Sequence, residues 1–183
     1  MWAESTLKSL QRRLDLIERA AAYRGRPRER MVAIGEADEL YIRLYPHHYR
    51  AIQTLRVASH LGRTVPGRED AFEKSEKRLI VLLSDVISDG LREGDLWLGN
   101  TRTAGELALT IWSLAVGTRS LMDSRIGMWW LGLEDSLRLA QTTSDILMDA
   151  IGWRPLSDEW DYTATRQRIA ELLSPPDLKQ ASG

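Results

Sequence analysis

Segment 83–96 and the apolar stretch behind it constrain this chain more than any other part. Val86 and Ile87 are followed by Gly90, a charged bend and Gly94, and a second apolar run occupies 103–121. Glycine adopts the left-handed conformations that end helices, so a long helix is expected to stop at Gly90 and turn before Leu96. Asn100, Thr101 and Thr103 supply side chains able to cap the next helix start. Ala104, Ala108, Ala115 and Gly117 in that next helix permit close approach by another helix. A helix–bend–helix unit of this kind needs no reactive group.

The remaining pattern is helical as well. Leu7, Leu10, Leu14, Ile17 and Ala21 keep the alternating three- and four-residue spacing of one helix face, which breaks near Gly25 and Pro27. Pro27 suits a helix start, and Met31, Ile34, Ala37, Leu40, Tyr41 and Leu44 extend an apolar face as far as Pro46. A third helix is expected over 47–60, and a fourth from the charged turn at 68–70 to Gly90. The fifth covers 103–121, the sixth 133–151 and a short seventh 163–172. With no period-two alternation and no internal repeat, the expected class is all-α, with about six to seven helices. The boundaries expected are one domain over 1–152, with a C-terminal helix and tail over 153–183 packed on it or trailing from it.

Composition removes several function classes. The 25 Lys and Arg balance 26 Asp and Glu, so the surface as a whole is not built for nucleic acid. Without cysteine there are no disulfides, thiolate metal sites or cysteine nucleophiles. The longest uncharged run, 107–118, is far shorter than the ~18 residues of a membrane span, and the N-terminus has no signal-peptide pattern. A cytoplasmic protein with no membrane partner is expected.

Chemistry-bearing motifs are sparse. His47 and His60 would stand about 20 Å apart on one helix at 1.5 Å per residue, too far to share a metal, and no Glu-x-x-His pair exists. Neither a metal nor a cofactor is expected. A glycine-rich phosphate loop, a Gly-x-Ser-x-Gly elbow and a His with a partner base are all lacking, so no catalytic residue is assigned and the chain is not expected to be an enzyme. Eight basic residues between Lys8 and Arg30 face three acidic ones, a bias read as a solvated helix face rather than a DNA contact. Seven tryptophans against one phenylalanine, with Trp97, Trp112, Trp129 and Trp130 in the second half, suit pocket walls or interfaces, since an indole joins a broad apolar face to one donor.

In order and spacing, these helices resemble the C-terminal, effector-binding part of the TetR family of transcriptional regulators. The resemblance rests on the glycine-spaced helix end at Ile87, Gly90, Gly94 and Leu96. It rests also on the following helix, with Glu106, Leu107, Ala108, Trp112 and Gly117 at the family's spacing, and it covers about residues 3–152. It implies a homodimer built as a four-helix bundle from the helices over 103–122 and 133–151, with Leu107, Ile111, Leu114, Thr118, Leu137, Ala140, Ser144, Leu147 and Ile151 at the interface. A milder second face of the sixth helix, Leu139, Thr143, Ile146 and Ala150, is the alternative. The resemblance also implies a pocket for a small apolar or aromatic effector, placed by position near Tyr49, Gln53, Leu83, Ile87, Trp97, Trp112 and Trp129, with His60 or Arg119 as polar partners.

Family members carry a helix-turn-helix ahead of this region, and it is absent from this chain; DNA is a partner only through it. The expected function is therefore the ligand-sensing, dimerising domain of a repressor. The alternative is a regulator paralogue without a DNA-reading head, acting as a protein–protein interaction module.

Overall fold

The computed structural model describes residues 2–62, 68–99, 102–124, 132 and 135–174, which form seven helices and no strand. They are α1 (Trp2–Ala21), α2 (Pro27–Leu44), α3 (Pro46–His60), α4 (Arg68–Glu93), α5 (Ala104–Asp123), α6 (Ser136–Ala150) and α7 (Tyr162–Leu173). The all-α class and the helix count expected from periodicity are thus observed. No helix among the described residues is long and apolar enough to cross a membrane.

Local chemistry sets the boundaries. Pro27 and Pro46 each open a helix, where a missing N–H costs no intrahelical bond. Thr103 and Glu106 form a reciprocal capping box at the start of α5, and the carboxylates of Asp135 and Asp161 accept from Arg138 N and Ala164 N at the starts of α6 and α7.

The end of α4 differs from the expectation in a revealing way. The helix runs through Gly90 to Glu93, and Gly94 takes the left-handed conformation at φ 79°. Asp95 N donates to Gly90 O at 3.0 Å and Gly94 N to Leu91 O at 3.3 Å, the paired bonds of a Schellman cap. Gly90 is needed for a different reason. A Cβ there would lie 3.1 Å from Trp153 Nε1 and 3.2 Å from two carbons of the same fully buried ring. Gly90→Val is expected to lower the unfolding free energy by about 1–3 kcal/mol in urea titration, because Trp153 has no room to retreat.

Helix α6 ends with the same device. Gly152 has φ 72°, Trp153 N donates to Met148 O at 3.0 Å, and Gly152 N donates to Asp149 O at 2.9 Å. The two exits meet where Arg154 N donates to Asp95 O at 2.7 Å. Residues 153–173 are therefore built into the main core, with Trp153, Tyr162, Ile169 and Leu173 buried among residues of α1, α2, α4 and α5. A smaller apolar cluster of Leu10, Tyr41, Tyr49, Ile52, Leu55 and Phe72 seats α3 against α1, α2 and α4.

The basic residues of the first two helices are not a uniformly solvated face. Arg13 and Arg28 are buried and Arg30 pairs with Asp89, so part of this charge holds the fold together. Arg28, fully buried on α2, donates to Trp153 O at 2.6 Å, Pro155 O at 2.8 Å and Ser157 Oγ at 3.0 Å. It also pairs with Asp149 at 2.7 Å and lies 4.6 Å from the centre of the Tyr162 ring.

Candidate ligand cavity

Helix α2 presents two faces to the interior, and they differ in chemistry. Met31, Ile34, Ala37 and Tyr41 are buried apolar positions of an ordinary core face. Gly35, Glu36 and Glu39, together with Met31 and Ile34 of that core face, line a cavity of about 120 Å³ whose walls also come from α1, α3, α4, α5, α6 and α7. Its apolar wall comes from Ile17, Leu79, Leu83, Ile111, Leu147 and Met148, among others. Gly35 lies exposed on its edge, and a Cβ added there would meet nothing within 4 Å.

The polar side is a set of ion pairs that tie α2 to its neighbours. Arg13 of α1 holds Asp38 at 2.7 Å and Glu76 of α4 at 3.3 Å, and Arg56 of α3 reaches the other oxygen of Glu76 at 2.8 Å. Arg119 of α5 pairs with Glu39. Gln141 of α6 donates to Glu36 at 2.8 Å, while Arg166 of α7 is bonded to both oxygens of Asp145 at 2.6 and 2.8 Å. The Nε of Arg166 lies 3.3 Å from the Glu36 oxygen that Gln141 already occupies.

Burial dominates the titration of these groups. It pushes the Glu36 carboxyl above the ordinary range, against Gln141 and Arg166, which pull it down. Glu39 is shifted the same way by burial, against Arg119. The Tyr49 phenol is raised by burial and by Asp38, so it stays protonated. For Arg13 burial works against the charge, but Asp38 and Glu76 outweigh it and the guanidinium is held charged.

The structure brings together four of the residues placed at a pocket by position: Tyr49, Leu83, Trp112 and Arg119 all line the cavity. Gln53 donates to Tyr49 Oη at 2.8 Å and so touches the wall through Tyr49. Ile87 is fully buried in the main core and is not among the lining residues, and Trp97 is 80% exposed at the exit of α4. Its position after the Schellman turn carries it away from the interior. Trp129 and the side chain of His60 lie outside the described residues.

The residues expected at an interface between subunits fall into two groups. Ile111, Leu114, Thr118, Ala140, Ser144 and Leu147 line the cavity and are half-buried in the single chain. Leu107 is buried in the main core, Ile151 packs against it, and Leu137 is half-buried. The exposed large apolar residues of α5 and α6 are Leu109, Leu121 and Ile146, on other faces of these helices.

Sequence reading missed the polar wall: Arg13, Glu36, Asp38, Glu39, Gln141 and Arg166. A signal existed for Arg13, which falls between Leu10 and Ile17 on the buried face of α1. Its partners, 25 and 63 residues away, leave no mark of pairing in the local pattern. Among the described residues no group of three or more His, Asp or Glu is placed to hold a metal ion. Compared with known proteins, the chain matches no family model, no curated protein and no solved structure.

Proposed function

We propose that this chain is the ligand-sensing, self-associating domain of a TetR-like transcriptional regulator, responding to a small molecule with an apolar body. The observation that carries this reading is the cavity itself. It is walled largely by apolar side chains, carries Glu36, Glu39, Arg119 and Arg166 among its lining, and reaches Arg13 and Ile17 of α1. In the resemblance, α1 is the helix that would connect to a DNA reader. A ligand that fits one position of α1 better than another would shift its equilibrium by the difference in affinity.

Self-association is supported by the outer surfaces of α5 and α6. Gly105, Leu109, Ser113, Gly117 and Leu121 follow one another at four-residue spacing on α5, uncharged and exposed, and Ile146 is exposed on α6. Their pairing across a twofold axis would cover apolar area that one subunit leaves in water. Leu109→Glu with Ile146→Glu is expected to convert a dimer to a monomer in light scattering at micromolar protein. A wild-type monomer under those conditions would remove the dimer from this reading.

Sensing is tested by titrating a panel of hydrophobic metabolites while following tryptophan emission. A binder in the cavity should change the emission of the wild type, and the change should shrink in Trp112→Phe, because Trp112 is part of the wall. An emission change identical in both proteins would place the ligand elsewhere.

A further inference from the structure

Three side chains on the cavity wall carry a nitrogen with no hydrogen-bond partner. The atoms are Trp112 Nε1, Arg119 Nε and Arg166 Nε, each shut off from water. Among the described residues no buried carboxylate oxygen of the wall is left in that state, so what the cavity lacks is acceptors. Arg119 spends a terminal nitrogen on Glu39, and Arg166 spends one on Asp145. Arg166 Nε stands 3.3 Å from Glu36, an ion pair without an aligned hydrogen bond. Glu36 and Glu39 are close to one helical turn apart on α2, so the two guanidinium groups converge on one stretch of the wall. The Trp112 indole is held from the α3 side, where the Arg56 guanidinium lies 5.0 Å from its ring centre. It sits about two turns before Arg119 on the same side of α5. A buried donor without an acceptor forfeits the bond it made with water, and an oxygen brought in by a guest restores it.

Charge decides the kind of oxygen. Arg13, Arg119 and Arg166 on the wall are matched by Glu36, Asp38 and Glu39. A guest ammonium would bring more donors to a wall already short of acceptors. A guest carboxylate would add a charge that these pairs leave unmatched, away from water. A carbonyl oxygen has two lone pairs to offer and adds no charge.

We propose that the cavity takes a neutral apolar molecule carrying a carbonyl, whose oxygen accepts from Arg119 Nε while the carbon skeleton lies against Ile17, Leu83, Leu147 and Met148. Trp112 Nε1 is the second donor, and the cavity gives both side chains room to turn their N–H toward the guest. This rests on the sensing role above and narrows it to a ligand class.

The test compares 4-phenyl-2-butanone, propylbenzene and hydrocinnamate by calorimetric titration of the full chain at neutral pH. Hydrocinnamate is expected to bind less tightly than the ketone. Arg119→Lys keeps a charge for Glu39 but has no second nitrogen to offer. It should weaken the ketone about tenfold, the factor of one hydrogen bond, and leave propylbenzene within about twofold. Trp112→Phe keeps an aromatic ring and should weaken the ketone more than propylbenzene. A ketone unaffected by both substitutions, equal losses for ketone and hydrocarbon, or hydrocinnamate bound as tightly as the ketone would overturn the assignment, as would silence from all three. The hydrocinnamate comparison needs the wild type alone, so it decides even if a variant fails to fold. Where these three are silent but the hydrophobic panel still perturbs Trp112, the sensing role stands and the carbonyl assignment falls; where both are silent, both fall.

Discussion

Arg28→Met is expected to lower the unfolding free energy by about 3–5 kcal/mol, read as a shift of the urea midpoint at unchanged slope. The methionine fills much of the space, so the loss measures hydrogen bonds rather than a void. Two backbone carbonyls, Trp153 O and Pro155 O, lose the donor that serves them, and both belong to the buried segment behind α6. An unsatisfied buried carbonyl costs on the order of 1–3 kcal/mol, so these two alone account for most of the effect. Asp149, the carboxylate partner, is about a third exposed and regains water when Arg28 is removed, so it adds little to that loss, whereas Asp149→Asn leaves the fully buried guanidinium without its carboxylate and should itself be destabilising.

Acid provides a second reading of the same contact. Burial opposes ionisation of Asp149, but hydrogen bonds from Arg28 and Ser157 outweigh it and hold the carboxyl below its ordinary value. A lowered folded value means stability that is present above the usual aspartate range and is lost as pH falls through it. Asp149→Asn should accordingly flatten the acid limb of a plot of Tm against pH. Glu36 and Glu39 act in the opposite sense, since a raised value adds stability toward acid, which fades as pH rises through the folded value.

Trp153→Ala should be comparably severe, about 3–5 kcal/mol in the same measurement, from lost burial and the space left behind. The indole is fully buried and packs on the bare backbone of Gly90, so the helix cannot supply a side chain to refill the gap. Its amide caps α6, but the backbone bonds to Met148 O and Asp149 O need no indole and should survive. The damage is therefore expected in the junction between α4, α6 and α7, with α3 and its own apolar cluster little affected. Hydrogen exchange would separate the two regions: faster exchange confined to the α4–α6–α7 junction fits this account, and uniform acceleration through α3 does not.

What could be read from the sequence divides along a physical line. Helices and their starts were legible because they depend on neighbours: the spacing of Leu10, Leu14 and Ile17, prolines at 27 and 46, and Thr103 three residues before Glu106. The expected stop at Gly90 was displaced by one turn because two glycines four apart both suit a helix end, and only the distant Trp153 distinguishes them. The apolar part of the cavity was legible in part, through Leu83 and Trp112, since both follow from a helix order that places α4 and α5 side by side. The charged wall was not. Glu36 and Glu39 leave no mark of pairing in the local pattern, because their partners Gln141 and Arg119 stand 105 and 80 residues away. Trp97 shows the converse, a residue whose type suited a pocket and whose position after a tight turn leaves it in water.

The central claim is that the space beside Gly35 receives a ligand, and filling that space tests it most directly. Gly35→Trp should be accommodated at the backbone, since a Cβ there meets nothing within 4 Å and alanine at the same site would even stabilise the helix by up to about 1 kcal/mol. Melting curves with and without a compound of the hydrophobic panel that binds the wild type, at a hundredfold excess over its Kd, should show the wild type stabilised by about 2.7 kcal/mol, a rise of several degrees in Tm. The account predicts that this rise persists in Gly35→Ala and disappears in Gly35→Trp; an equal rise in all three proteins would contradict it.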